Sequence, residues 1–337
     1  MKDGGPMERR KFLSGLAGLA LPTLGQSLYV SAALAQSIPP PSADSILVKG
    51  QTPIVTMQTW IDLYGRPTAD VKLDGKGPFK FVVDTGSNTS VLSPRVASLL
   101  ALTELPSRMV HGVTGVAEAR FARIGQIETG RSISNDLPVA ILDAPSLDKL
   151  DGILGMDMFA NRRIRFNFTS KRVDLEPASK RRGRRLPIAV EVKLRHGLLI
   201  EAEGKIGSVK AKCILDTGGD TTIINLALMD ALRARAVRRN RAHEAPVILG
   251  ITNQHLNGIW ANLPEINMLG LAISKMTVVA ADAPVFNLWG LASTPAMLVG
   301  MDVLSRVETL IVDYRRREIE LQLLSNIVGD GLGGYHG

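Results

Sequence analysis

The segment Val82-Val83-Asp84-Thr85-Gly86-Ser87 returns in the second half of the chain as Ile214-Leu215-Asp216-Thr217-Gly218-Gly219. An Asp-Thr-Gly triplet alone says little, because all three are ordinary turn residues. Here the likeness runs much further. "DTGSNTSVLSP" aligns without a gap on "DTGGDTTIINL", and each copy is followed by an apolar pair and a glycine: Ile153-Leu154-Gly155-Met156-Asp157 and Leu298-Val299-Gly300-Met301-Asp302. The alternating tails "RIRFNFTSKRVDLEP" and "TLIVDYRRREIELQL" then close the two copies. A period this long lies above the solenoid range and means two homologous lobes. Each lobe delivers one carboxylate at the end of an apolar strand onto a Thr-Gly turn.

The rest of the pattern is that of strands. Runs such as "ADVKL" and "FKFVV" are separated by "YGRPT" and "DGKG", short apolar segments joined by tight turns. Helices are few. Ser93-Pro94 opens one with Ser as N-cap and Pro at the first helical position. Asn225 precedes "LALMDALRARAVRRNRA", which predicts a longer second helix with a basic, solvated end. "MVHGVTGVAEARFARIGQIETG" and "PVILGITNQHLNGIW" read as glycine-tipped hairpins around Gly112 and Gly250. The expected fold is therefore all-β, in two homologous lobes with a few short helices.

A hydrophobic content of 45% is enough for both lobes to bury a core, and with aromatics at only 4% those cores must be aliphatic. Cys213 is the sole cysteine, so no internal disulfide forms; three residues before Asp216, it reads as a small buried hydrophobe. The sequence contains no HExxH, CxxC, Gly-x-Ser-x-Gly or P-loop motif and no strand-linked Gly-x-Gly-x-x-Gly, which argues against metal, nucleotide and serine-nucleophile chemistry. No cofactor, metal or nucleic-acid partner is expected. A net charge of +8 favours acidic surfaces in general without naming one.

Taken together, the paired Asp-Thr-Gly turns and the apolar-apolar-Gly elements resemble the retropepsin and pepsin family of aspartic proteases. The retroviral half-enzyme is the nearer pattern, because each lobe is short and Gly is followed by Met-Asp. The resemblance spans about Thr52 to Leu323. It implies two pseudo-symmetric β-barrel lobes with the active site at the cleft between them, and an aspartic endopeptidase with a catalytic dyad of Asp84 and Asp216, acting on a peptide or protein. It further implies that Thr85, Gly86, Ser87, Thr217 and Gly218 brace the site. Asn88 and Asp220, two residues past each glycine, fall where the family contacts the substrate backbone, and Gly112 and Gly250 fall at flap tips that close over it. Two departures stand out. Gly219 replaces the usual Ser, Thr or Ala, leaving Ser87 to supply a hydroxyl on one side only. Met156 and Met301 stand where retroviral relatives carry an arginine. A reading from another class, an exported peptide-binding pseudo-protease without turnover, draws on Gly219.

The chemistry the dyad implies is simple. Two close carboxylates cannot both ionise, so they share a proton; the charged one activates a water while the protonated one polarises the peptide carbonyl. Tethering both lobes in one chain favours pairing within a monomer.

Outside the lobes, Arg9-Arg10-Lys11-Phe12-Leu13 opens an apolar Gly- and Ala-rich run ending Ala33-Leu34-Ala35. Residues 1–35 thus read as a twin-arginine export signal, giving a periplasmic or secreted protein that touches the membrane only if the signal stays uncleaved. A Pro-rich spacer over 36–51 leads to an N-terminal lobe at 52–178. "KRRGRR", with five charges in six residues, marks a solvated linker at 179–186. The C-terminal lobe spans 187–324, and 325–337 is a tail.

Overall fold

The computed structural model describes residues 27–29, 55–57, 59–62, 65–130, 132–147, 149–160, 162–177, 186–233, 245–274 and 276–324. Most of the expected export signal, the Pro-rich spacer, the basic linker at 179–185 and the tail lie outside the described residues. Of the signal only Ser27–Tyr29 is described, a strand running parallel to Met109–His111.

Among the described residues the strands form two nine-stranded sheets, a six-stranded sheet and a two-stranded hairpin, and the fold is all-β of the aspartic-protease kind. Both nine-stranded sheets are built around the same motif. In the first, Lys76–Val83 runs antiparallel to Pro67–Leu73 and ends at Asp84. Gly152–Leu154 then lies parallel to Phe81–Val83 and antiparallel to Val91–Leu92. In the second, Val209–Leu215 ends at Asp216, and Ala296–Val299 lies parallel to it and antiparallel to Ile223–Ile224. A parallel strand buried on both faces must be apolar throughout, which is why Ile153-Leu154 and Leu298-Val299 carry no polar residue. The backbone N–H of Asp84 donates to Leu154 O at 3.0 Å and that of Asp216 to Val299 O at 3.0 Å. Each aspartate is therefore the first residue past a completed ladder, its position set by a neighbouring strand.

The six-stranded sheet draws on both halves of the chain. Arg162–Asn167 and Arg172–Pro177 come from the first, Ile188–Glu191, Thr309–Asp313 and Glu318–Gln322 from the second, and the junction is Arg163↔Asp313 through Asn167↔Thr309. The alternating tails of the repeat thus pair with each other. Val55–Met57 adds to its edge. The core is largely aliphatic, and one cluster runs continuously through the three large sheets, from Val71, Phe81 and Leu154 through Ile164 and Val312 to Leu215 and Val299. Cys213 is fully buried within it, and burial pushes its thiol up to about 12.

The first helix, Pro94–Leu100, starts as its sequence requires: the Ser93 hydroxyl accepts from the Val96 N–H at 3.4 Å. The second corrects the expectation of a long one. It spans only Leu226–Ala231, capped by Asn225 Oδ1 accepting from the Leu228 N–H at 2.9 Å. Arg233 takes a left-handed φ of 48°, which ends the helical ladder, and residues 234–244 lie outside the described residues.

Candidate active site

The two Asp-Thr-Gly turns meet across the seam between the lobes, and their threonines lock them there. Thr85 Oγ1 accepts from the Thr217 N–H at 3.0 Å and donates to Leu215 O at 3.0 Å. Thr217 Oγ1 accepts from the Thr85 N–H at 3.1 Å and donates to Val83 O at 2.6 Å. Each hydroxyl thus spends its one proton and one lone pair on the opposite lobe. All four bonds are buried, where an unmade partner would cost about 1–3 kcal/mol each.

This lock leaves no space between the turns and the opposing carboxylates. A methyl group on Gly86 would lie 2.6 Å from Asp216 Oδ1, and one on Gly218 would lie 2.3 Å from Asp84 Cγ. Only glycine admits that approach. The carboxyls of Asp84 and Asp216 hydrogen-bond to each other. The Gly86 N–H donates to Asp84 Oδ1 at 2.7 Å; Asp216 Oδ1 accepts from Gly218 at 2.9 Å and Gly219 at 3.1 Å. Gly219 therefore supplies a second amide to its aspartate, and a methyl there would stand 3.1 Å from Asp216 Oδ2.

Burial pushes both acids above the usual carboxylate range, and the two differ. Asp84 is raised by desolvation and relieved by its bond to Asp216, the Gly86 amide, the Arg66 charge and the Gly218 amide. Asp216 is raised further, because the Asp84 charge adds to its desolvation. Two carboxyls this close and this desolvated titrate as one pair that shares a proton. Tyr314, buried beneath this floor, has its phenol pushed well above the normal range by burial and then by the Asp84 charge.

Ser87 does not turn its hydroxyl to the dyad: Oγ donates to Thr89 O at 2.7 Å, inside its own turn, and so braces the loop. Asn88 is buried, with Nδ2 donating to His196 O at 3.1 Å, so one of its donors is committed to the opposite lobe. Its counterpart Asp220 is exposed.

The two hairpins, Thr103–Gly112 with Gly115–Thr129 and Val247–Leu249 with His255–Asn257, meet at their tips. Thr114 Oγ1 and Thr252 Oγ1 are 3.0 Å apart and both buried, and Gln254 Nε2 donates to Val116 O at 3.3 Å. Gly112 and Gly250, expected at flap tips over the substrate, face the opposite hairpin: methyl groups on them would lie 2.8 Å from Ile251 Cγ1 and 2.6 Å from Thr114 Oγ1. Their lack of a side chain serves the contact between tips.

Several residues went without a role in the sequence reading. Asp157 accepts from the Ser90 N–H (2.8 Å), the Ser90 hydroxyl (2.7 Å) and the Met158 N–H (2.9 Å), and burial lifts its carboxyl to about 6. Asp302 accepts from the Thr222 N–H at 3.0 Å and its hydroxyl at 2.6 Å. These matched clamps tie each catalytic-type turn to the apolar strand beneath it, in the region where retroviral relatives were expected to use an arginine. The signal was present: Ser90 aligns with Thr222 and Asp157 with Asp302 in the repeat. Arg66 is the other. It is buried, pairs with Asp62 at 2.6 Å, donates to Ser146 O at 3.0 Å, and its charge reaches Asp84. In the sequence it looked like part of a turn.

Among the described residues no group of three or more His, Cys, Asp or Glu stands together as a metal site. What the arrangement can do is hold one proton between two desolvated carboxyls. No curated protein matches the chain. Residues 69–158, which carry Asp84-Thr85-Gly86, the first hairpin and the Asp157 clamp, match the family model for aspartyl protease, which supports an aspartyl protease family for this chain and, at that level, a protease hydrolase.

Proposed function

We propose that the protein is an aspartic endopeptidase that works as a monomer, with Asp84 and Asp216 as its dyad. The observation that carries this reading is the reciprocal packing of each turn glycine against the other lobe's aspartate, which leaves two buried carboxyls in mutual hydrogen bond. In the reaction, ionised Asp84 takes a proton from a water as its oxygen attacks the scissile carbonyl carbon. Protonated Asp216 gives its proton to the carbonyl oxygen. Collapse of the tetrahedral diol breaks the C–N bond: the departing nitrogen takes the proton held by Asp84, one hydroxyl of the diol returns its proton to Asp216 as the carbonyl re-forms, and the pair is again left with one proton. Substrate enters an extended cleft once the Thr114–Thr252 contact opens. The leader at 1–35 directs this activity to the periplasm or outside the cell, on peptide or protein substrates.

The test is Asp84→Asn and, separately, Asp216→Asn, assayed on unfolded protein and a peptide library from acidic to neutral pH. Each is expected to lower kcat about a hundredfold to ten-thousandfold, the usual contribution of a positioned acid or base. A wild-type chain that cleaves nothing at any pH and ignores a statine-type transition-state mimic would leave the peptide-binding pseudo-protease as the better reading.

A further inference from the structure

The repeat is not matched where each hairpin tip packs. Asp143-Ala144-Pro145 in the first lobe and Asp282-Ala283-Pro284 in the second are the same motif in the same place relative to the paired strands. In the second lobe the motif leads into the helix Pro284–Leu288, and Phe286 and Trp289 pack edge to face at 5.8 Å. The tip of the first hairpin, Val113, rests on this aromatic cluster. In the first lobe the motif leads into a single 3₁₀ turn, Pro145–Leu147, with no aromatic residue. The tip of the second hairpin, Ile251, packs there with Leu142 and Ile153, and a cavity of about 250 Å³ remains.

That cavity has an apolar floor, Ile141, Leu142 and Ile251, and an acidic rim, Glu118 and Asp143, both exposed. Arg120 also lines it, but its guanidinium is held by Glu104 at 3.0 Å. Thr252 and Asn253 of the hairpin tip form the remaining wall, so the cavity lies against the contact between the two hairpin tips. An apolar base with carboxylates at the mouth suits a side chain with a long hydrocarbon stem and a cationic head.

Resting on the endopeptidase reading above, we propose that this cavity is a specificity subsite for a lysine or arginine of the bound peptide, and that the aromatic-filled end has no counterpart to it. The enzyme would then recognise substrate asymmetrically, with a basic residue at one fixed distance from the cut.

The experiment uses the full chain carrying Asp84→Asn, so that peptide is bound and not cleaved. Fluorescein-labelled decapeptides are compared in which one lysine or one norleucine is scanned through each position, with Kd read by anisotropy. One position is expected at which lysine tightens binding by about tenfold over norleucine. Adding Glu118→Gln and Asp143→Asn is expected to bring the two peptides to the same Kd, and added salt is expected to narrow the gap. No preference at any position, a preference that survives the double substitution, or no binding of any peptide would overturn the proposal. The same peptides given to the wild-type chain separate the two readings. Cleavage without basic preference removes the subsite and keeps the protease, whereas lysine-selective binding with no cleavage keeps the subsite and removes the protease.

Discussion

Asp84 and Asp216 are the same residue in the same turn, yet they are not equivalent. Asp84 gains an amide from each turn glycine and the field of Arg66, while Asp216 gains its two amides from its own loop and faces the charge of Asp84. Of these neighbours, Arg66 is the one whose charge favours an ionised Asp84, and that makes it a residue that tunes the acid limb of activity. A positive charge favours the ionised carboxyl, so removing it raises the pKa of Asp84 and moves the onset of activity to higher pH. Arg66→Met is expected to shift the acid limb of the kcat/KM profile upward, with a smaller movement of the alkaline limb set by the pair's second ionisation. A profile that superimposes on the wild type would remove Arg66 from the site. The two aspartates were legible as a pair from the repeat, whereas Arg66 was not, because nothing local marks a turn arginine whose charge acts on a strand end in the tertiary fold.

At the scale of the element, the unit is the turn with the strand beneath it. Thr85 and Thr217 hold turn to turn, and Ser90–Asp157 and Thr222–Asp302 hold turn to strand. Replacing Thr85 by Val keeps its shape but removes one donor and one acceptor from the lock, leaving the Thr217 N–H and Leu215 O without their partner. That should cost about 2–4 kcal/mol of stability by denaturant melting. Thr217→Val should cost a similar amount. The double substitution should cost clearly less than the sum, because both singles break one cooperative set. Strict additivity would mean that the four bonds act independently. The helix after Asn225 shows the opposite limit of local reading. Its N-cap was legible, but its end was not, since the propensity of "LRARAVRR" favours continuation and the chain instead turns at Arg233.

For the whole molecule, the six-stranded sheet fixes how the lobes sit. It pairs Arg162–Asn167 with Thr309–Asp313, and the partly buried Arg163–Glu320 ion pair at 2.8 Å crosses the same junction. Glu320 also accepts from the Leu186 N–H at 2.9 Å, which anchors the second half where the linker enters it. Because one chain supplies both halves of this sheet, the active assembly is expected to be a monomer. Sedimentation should give the mass of one chain, and specific activity should stay constant across wide dilution. Activity that falls with dilution, or a dimer mass, would show that the lobes exchange partners between chains.

The sequence by itself determined the duplication, the strand-borne acids, the glycines beside them and the apolar strands under each turn. All of these follow from local periodicity and from a motif stated twice. It also foretold an all-β fold, since short alternating runs between turn residues leave few other arrangements. Only the tertiary structure decided which lone pairs meet: that Ser87 turns inward to Thr89 O, that Asn88 spends a donor on His196 O, and that the hairpin glycines touch the opposite hairpin. Those outcomes depend on distances between segments far apart in the chain. A repeat read along one dimension looks symmetric, but in three dimensions its two ends are packed by different side chains, Phe286 and Trp289 at one and a cavity at the other.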